Sequence, residues 1–237
     1  MPVIITGNNT PTAGGITYGD GSTYVVTAAG TSGQPVVSGG AGAPVFRPYT
    51  LPASDGSASQ VLQTNGAGAL SFATISAGFT LGTPVASTSG TSITFTSIPA
   101  GTKQIIIMLN EVSTNGSDPL QIRIGDSGGI ETTGYEAFAC SMGGSNTTQI
   151  GSTTSGYQIE SALPAVSGYT RSGNIVINLE NSSNNTWVLS GNIKGSGPYV
   201  SVSAGRKSLS AVLDRVSVTT GGGPNTFSAG EINIAYI

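Results

Sequence analysis

The chain has 237 residues, of which only 8% are charged, and its net charge is −3 at pH 7. So few Lys and Arg residues disfavour a nucleic-acid-binding protein, which must neutralise many phosphates. The chain contains no histidine and a single cysteine, which excludes Ser–His and Cys–His nucleophile pairs, an internal disulfide and almost every type of zinc site. No apolar run approaches about 18 residues, so we expect no membrane-spanning segment.

Residues 1–28 begin with a short apolar stretch, PVIIT, followed by polar turns. The start has no basic region and its apolar run is too short for a signal peptide, so we expect the chain to fold in the cytosol where it is made. A short apolar strand of this kind is suited to adding to the sheet edge of a partner. We therefore predict an anchoring segment at 1–28, and its contact residues are Val3, Ile4, Ile5, Ile16 and Tyr18.

An internal repeat follows. GTSGQPVVSGGAGAPVF at 30–46 and GSASQVLQTNGAGALSF at 56–72 are identical at seven of seventeen positions, including Gln34/Gln60 and Phe46/Phe72. Each copy consists of a short extended run, a Gly-rich turn and a second run that ends in Phe, which is the pattern of a β-hairpin. A repeat usually marks one small structural unit used more than once.

Each repeat is too small to be stable alone, because an isolated hairpin is marginal in water. Residues 29–77 contain few large apolar side chains, and only Asp20, Arg47 and Asp55 are charged before Lys103. We predict that three identical chains together bury the apolar side chains of this stem. The residues expected at that interface are Val36, Phe46, Leu62 and Phe72. The alternative is a flexible Gly/Ser linker.

Residues 78–237 show alternating and β-branched runs separated by turn residues. Strands are predicted at 92–98, 104–112, 120–125, 174–180, 187–193, 200–204, 212–218 and 231–237. Eight to ten strands without helical periodicity predict an all-β sandwich of the jelly-roll type. Trp187 and the small Cys140 are predicted to lie in its core.

Two stretches carry a resemblance to a known group of proteins. GITYGDGSTYVVTAAGTSG at 15–33 and LPASDGSASQVLQTNGAGALSF at 51–72 resemble the structural fibre, appendage and decoration proteins of tailed bacteriophages, notably those of marine bacteria and cyanobacteria. The resemblance covers 1–72. The style of FTSIPAGTKQIIIMLNEVSTNG at 95–116, IRIGDSGGIETTGY at 122–135 and FSAGEINIAYI at 227–237 is similar to the distal β-sandwich of such fibres.

The resemblance implies a homotrimer on the virion surface. Its N-terminus would dock on another virion structural protein, and the domain at 78–237 would face the host or the solvent. The chain departs from long fibres in having only two repeats and no long coiled coil. Tail fibres, head fibres and capsid decorations all contain similar sequence motifs. A tail adaptor component is therefore an alternative to a short fibre or a surface decoration.

Acidic residues are the first candidates for chemistry. Asp118, Asp126 and Glu131 are close in sequence and carry the hard oxygen ligands that Ca²⁺ prefers. The same carboxylates are an alternative glycosidase pair on a virion. Ordinary turn chemistry explains them equally well, so we expect no metal, no cofactor and no catalytic residue.

Aromatic residues next to glycine are the second candidates. Tyr135, Tyr157 and Tyr169 each follow a Gly in a Ser/Thr-rich stretch, and Arg171 lies near the last of them. Such rings can stack on sugar faces, and the hypothesis is that these four residues contact a host surface glycan. The alternative is that each ring caps an edge of the sandwich with its hydroxyl in water. The function predicted from the sequence is thus binding and architecture in a virion, without enzymatic activity.

Overall fold

The structure, a computed structural model, describes residues 12–75, 78–143, 148–161 and 168–237. Within these ranges every regular element is a β-strand and no helix is present, which confirms the all-β fold class. The contacts divide the chain into two compact units, Met1–Ala77 and Gly78–Ile237. Each unit is described by itself.

The first unit consists, in its described part, of three antiparallel hairpins. Their strands are β1 (Thr17–Gly19) with β2 (Tyr24–Val26), β3 (Val36–Gly39) with β4 (Gly42–Phe46), and β5 (Gln60–Thr64) with β6 (Leu70–Thr74). The turn of the third hairpin contains Asn65-Gly66, and Gly66 has a φ of +74°, a conformation that glycine adopts without steric cost. None of the residues 12–75 is buried.

The second unit contains the remaining strands of the described chain. They are β7 (Thr80–Leu81), β8 (Val85–Ala86), β9 (Ser92–Phe95), β10 (Gln104–Thr114), β11 (Leu120–Asp126), β12 (Gly129–Ile130), β13 (Glu136–Gly143), β14 (Thr148–Thr153), β15 (Tyr157–Gln158), β16 (Arg171–Asn181), β17 (Thr186–Gly195), β18 (Tyr199–Ser208), β19 (Arg215–Thr220) and β20 (Phe227–Tyr236).

These strands form two antiparallel sheets. The larger sheet has the order β14-β13-β18-β17-β16-β10-β20-β7, and β8 also pairs with β20. The smaller sheet has the order β12-β11-β19-β9, and β15 also pairs with β11. One apolar core contains buried residues from both sheets, so the sheets are the two layers of a sandwich.

Alternation along the central strands explains this core. In the larger sheet Ile107 pairs with Ile175 on one side and with Ile234 on the other, and these side chains are buried. In the smaller sheet Ile122 pairs with Val218, and both are fully buried. Because successive side chains of a strand point to opposite faces, each run of alternating apolar residues faces the partner sheet.

The predicted strands all overlap observed ones, and the prediction that Trp187 lies in the core is confirmed, since it is 2% exposed. The prediction for Cys140 is wrong. Its neighbours Ala139 and Ser141 in β13 point inward and are buried, so Cys140 points to the outer face and is only half-buried.

Candidate functional site

The first hairpin contains two of the residues predicted to form the anchor. Ile16 and Tyr18 are half-buried at β1, whereas Val3, Ile4 and Ile5 lie outside the described residues. The turn of this hairpin is organised by Asp20, whose Oδ1 accepts hydrogen bonds from the backbone N–H groups of Thr23 (2.6 Å) and Ser22 (2.8 Å). These hydrogen bonds lower the pKa of the Asp20 carboxyl.

The two repeats fold identically at their first turn. In the first copy Gln34 Oε1 accepts a hydrogen bond from the Thr31 backbone N–H at 2.7 Å, and the Gln34 backbone N–H donates to the Thr31 carbonyl at 3.1 Å. In the second copy Gln60 and Ser57 make the same two bonds at 2.8 and 3.2 Å. The glutamine shared by the repeats therefore closes the turn that leads into each hairpin.

Each repeat also packs its terminal phenylalanine on its first glycine. A Cβ added at Gly30 would overlap the ring of Phe46, and one added at Gly56 would overlap the ring of Phe72. Only glycine allows this approach of ring to backbone. The Gly–Phe contact holds the beginning of each repeat against its last strand, and both phenylalanines are half-buried as a result.

A short connecting segment joins the two repeated hairpins. The Leu51 backbone N–H donates to the carbonyl of Gly33 at 2.8 Å, in the first repeat. The Thr50 backbone N–H donates to Gly68 at 3.0 Å, and Thr50 accepts from Leu70 at 3.1 Å, both in the second repeat. The repeats are therefore neighbouring parts of one continuous structure, which argues against the flexible-linker alternative.

The remaining predicted stem residues are exposed within the single chain. Val36 is 44% exposed and Leu62 is 49% exposed. Other large apolar side chains of this unit are exposed in the same way: Val45, Leu51 and Val61. The two strands of each hairpin are hydrogen-bonded to each other, but these apolar side chains have no core to enter.

The hypothesis that Tyr135 and Tyr157 contact a receptor is wrong, because both rings are buried in the core of the sandwich at 1% and 0% exposure. They meet edge to face at 5.0 Å between centroids. The Tyr157 hydroxyl donates to the Trp187 carbonyl at 2.9 Å, and the Tyr135 hydroxyl hydrogen-bonds backbone groups of Ile124. Burial raises the pKa of Tyr135 to about 12 and raises the pKa of Tyr157 as well.

Tyr169 and Arg171 are also buried, at 7% and 0% exposure, so neither is available to a glycan. Arg171 Nε lies 2.8 Å from both carboxylate oxygens of Glu160, and Nη1 donates to the Tyr169 carbonyl at 2.9 Å. Glu160 also accepts from the Leu120 backbone N–H. The physical reason for this correction is that Arg171 has a buried acidic partner, which a sequence pattern does not reveal.

The three candidate carboxylates separate into two places. The Ser210 hydroxyl oxygen lies 2.6 Å from Asp126 Oδ2 and 2.9 Å from Glu131 Oε1. Glu131 also accepts from the Ser210 backbone N–H at 2.8 Å and pairs with Lys207. Asp118 lies elsewhere and accepts from the Asn225 backbone N–H at 3.4 Å. The described residues contain no group of three or more Asp, Glu, Cys or His side chains that could hold a metal ion.

Hydrogen bonding stabilises the charged forms of this pair. The Ser210 hydroxyl and the Gly128 backbone N–H lower the pKa of Asp126. Burial by itself would raise the pKa of Glu131, but Lys207 and Ser210 outweigh it and lower the value. The carboxylates of Asp126 and Glu131 are hydrogen-bonded within a loop, and both have lowered pKa values. A general acid must be protonated, which a lowered pKa disfavours.

A cavity of about 210 Å³ lies where β16 and β17 meet the loop before β19. Trp187 and Leu213 contribute buried apolar surface, and Val212 and Lys103 contribute exposed surface. This volume is below the range of about 300–1,000 Å³ that is usual for small-molecule sites.

Comparison with known proteins gives no relative: no family model, no curated protein and no solved structure matches the chain. In the part of the chain that the structure describes, no helix is long and apolar enough to cross a membrane. The exposed apolar side chains on the hairpins of the first unit are the feature with the clearest functional meaning.

Proposed function

We propose that this chain is a homotrimeric structural protein of a tailed-phage virion, in which the first unit forms an anchor and short stem and the second is displayed as a β-sandwich head. The observation that carries the proposal is the first unit itself. It has ordered, repeated hairpins, yet no residue of 12–75 is buried. A structure of this kind needs apolar surface from other chains to be stable.

Three copies fit this requirement better than a single partner of another kind. The repeats are slender, and glycine and alanine between the large side chains permit backbones to approach closely. Val36 and Leu62 would then be covered by neighbouring copies, while Phe46 and Phe72 hold each hairpin together. A threefold arrangement is also what the resemblance of 1–72 to phage fibres and decorations implies.

The order of the strands supports a jelly-roll architecture for the head. The strands of this path can be numbered one to eight in chain order: β7 with β8, β9, β10, β11, β15, β16, β19 and β20. Strands one, eight, three and six are then neighbours in the larger sheet. The second, seventh, fourth and fifth are neighbours in the smaller sheet. This alternation between two sheets is what a double Greek-key path predicts, and it supports the proposal of a jelly roll with β12, β13, β14, β17 and β18 as additional strands. Jelly rolls are frequent in viral capsid and lectin domains.

The role of the head is display: it coats the particle or contacts the host surface. The rings that suggested a glycan site are buried, so attachment to sugars would depend on other residues. Charged candidate residues also have structural partners within the chain. Arg171 pairs with Glu160, and Asp126 and Glu131 are hydrogen-bonded to Ser210. The proposal therefore places architecture before receptor binding and assigns no catalytic step to the chain.

The test is localisation on the particle. Antibody raised against 78–237 and coupled to gold is added to purified particles of the phage that encodes the chain, and the particles are imaged by electron microscopy. The proposal predicts label at regular positions on intact particles, on the head or on the tail. Label absent from particles but present in the lysate would contradict a virion role. An antibody against an unrelated phage enzyme serves as the control.

A further inference from the structure

Two neighbouring strands of the head carry their large apolar side chains on the outside. On β13 the inward residues are Ala139 and Ser141, whereas Phe138 and Met142 point outward and are 48% and 42% exposed. β18 likewise has small residues facing inward and larger apolar residues facing outward, and we call this arrangement the inversion. Ser201 and Ser203 are buried, whereas Val200 and Val202 are 39% and 37% exposed.

The outward residues of the two strands form one continuous surface. In the antiparallel register Phe138 pairs with Ala204, Cys140 with Val202, and Met142 with Val200. Directly paired side chains on one face of a sheet are in contact distance. We call these six residues the outer patch. None of them carries a charge.

The inversion is fixed by the structure beneath it. The hydroxyls of Ser141 and Ser201 are hydrogen-bonded to each other at 2.5 Å, and Ser141 Oγ also accepts from the Ser161 backbone N–H at 3.1 Å. A shift of one residue in the pairing of β13 with β18 would exchange the inner and outer faces of the shifted strand. The hydroxyls of Ser141 and Ser201 would then lose each other as partners. The register that pairs Ser141 with Ser201 therefore keeps the outer patch at the surface.

The charges around the outer patch indicate what covers it. At one end Glu136 and Arg206 are paired across the strands at 2.8 Å, and both are largely exposed. Lys194 pairs with Val200 in the sheet and lies at the other end. Glu136 and Arg206 largely neutralise each other at their end, and the other end carries the cation of Lys194. A second copy brings an uncharged centre and can set its Lys194 end beside the Glu136 end of the first copy, so neighbouring patches attract at the rim. A uniformly acidic or uniformly basic partner would meet a like charge at one of the two ends.

We propose that the outer patch is a contact surface between copies of this chain within the head. Contiguous exposed apolar surface on a soluble protein marks an interaction site, and uncharged patches rich in Met, Phe and aliphatic residues are typical of interface centres. The proposal builds on the self-association stated in the proposed function, but it concerns the sandwich and is independent of whether the chain lies on a virion.

Cys140, the only cysteine in the chain, lies in the middle of the outer patch and reports on its accessibility. In one isolated chain it is half-buried. The experiment measures the rate of Cys140 labelling by a maleimide on the purified full chain at several protein concentrations, with the mass in solution measured on the same samples. Labelling is expected to be about tenfold or more slower in the assembled protein than in the dissociated chain, because the thiol must wait for the interface to open.

Substitution separates the outer patch from the rest of the surface. Val202→Asp should restore fast labelling in the assembled protein, because it puts an unpaired charge into the interface. Val212→Asp, at a position that is 56% exposed and outside the patch, should leave the rate unchanged. Phe138→Ser repeats the test without a charge, should Val202→Asp prevent folding.

Two results would overturn the inference. Fast labelling of Cys140 in assembled protein would show that the outer patch is open although the chains associate, so the stem association would stand and the head contact would fall. Slow labelling in a protein that remains monomeric at every concentration would show that something other than a second copy covers the patch. Because the assay uses purified chain alone, absence of the protein from virions would leave it unaffected.

Discussion

The hairpin unit and the sandwich unit are made of the same kind of structure, antiparallel β-strands, but they are stabilised differently. Among its described residues, the sandwich buries two dozen apolar side chains in a core shared by both of its sheets. The hairpins bury none in residues 12–75 and depend on local hydrogen bonds and on two Gly–Phe contacts. Regular hydrogen bonding within a single chain and the stability of that chain are therefore separate properties.

The two units also differ in which side of a strand is apolar. Central strands of the sandwich place isoleucines inward, as in the Ile107–Ile175 pair. The repeats place Val36 and Leu62 outward, as does the outer patch of the head. Where the apolar side of a strand faces away from its own chain, we infer that another copy supplies the missing partner surface.

The largest expected effect comes from the stem phenylalanines. Phe72→Ala, or Phe46→Ala at the equivalent place in the other repeat, removes three rings from a trimer. Both rings are half-buried in the single chain and are expected to be fully buried in the trimer, where each truncation of a buried Phe typically costs about 3–5 kcal/mol. We expect a large fall in the midpoint of thermal dissociation, measured at fixed protein concentration because oligomer stability depends on it.

The control for this pair is Val212→Ala in the sandwich unit, since Val212 is 56% exposed and lies outside the stem, and the change should cost roughly 0.5 kcal/mol or less. Equal small shifts for the valine and for both phenylalanines would contradict a stem completed by other copies.

Next in size is the buried ion pair of the sandwich. Glu160→Gln leaves Arg171, which is 0% exposed, without its charged partner, and breaking a buried pair in this way costs about 3–5 kcal/mol. The measurement is urea unfolding followed by Trp187 fluorescence. Glu136→Gln is the matched control, because it breaks the exposed pair with Arg206, and its effect should be small. A silent Glu160→Gln variant would disprove the structural role of the pair.

A smaller effect is expected at the turns of the repeats. Gln60→Ala removes the side-chain oxygen that accepts the exposed hydrogen bond from the Ser57 N–H. The net contribution of one hydrogen bond to the free energy of unfolding is about 0.5–1.5 kcal/mol. We expect a loss at the low end of this range. Gln63→Ala, at an exposed position of the same strand, is the control. The readout is amide hydrogen exchange in 56–74, and exchange that is equally unchanged in the two variants would show that the shared glutamine has no role in the repeat.

The smallest expected effect is a response to acid in the sandwich. The folded-state pKa values of Asp126 and Glu131 are lowered. Their contribution to stability is therefore present above the ordinary carboxyl pKa of about 4 and is lost as the pH falls through the folded values. Thermal melts between neutral pH and pH 2 should show a decline below about pH 4, and Ser210→Ala should reduce that decline. An unchanged pH profile in the variant would contradict the assigned hydrogen bonds.

Much of the fold could be predicted from the sequence because β-branched runs and alternation are local signals. Segment 104–112 contains a run of three isoleucines, and in 174–180 every second residue, Ile175, Ile177 and Leu179, is apolar. Both segments are strands in the observed sheet. The repeat was equally readable, since Gln34 and Gln60 stand at matching places and make matching bonds. Short strands such as β7 and β15 carry too few residues to produce a pattern.

The candidate site could not be predicted in the same way because burial of a loop residue is a long-range property. Tyr135 and Tyr157 follow glycines in polar sequence, yet each hydroxyl finds a backbone partner inside the sandwich. Arg171 is paired with an acid eleven residues away. The outer patch is visible in the sequence as alternating Phe138, Cys140 and Met142, but only the sheet order shows which side of the strand faces the core.

The most direct test of the central claim is the mass of the purified full chain in solution, measured by sedimentation equilibrium over a wide concentration range. If hairpins without a core are completed by other copies, the protein will have the mass of three chains of 23.5 kDa each, and residues 29–77 will lose their hydrogen-exchange protection when it dissociates. A stable monomer in which 29–77 are as well protected as the sandwich would contradict the account.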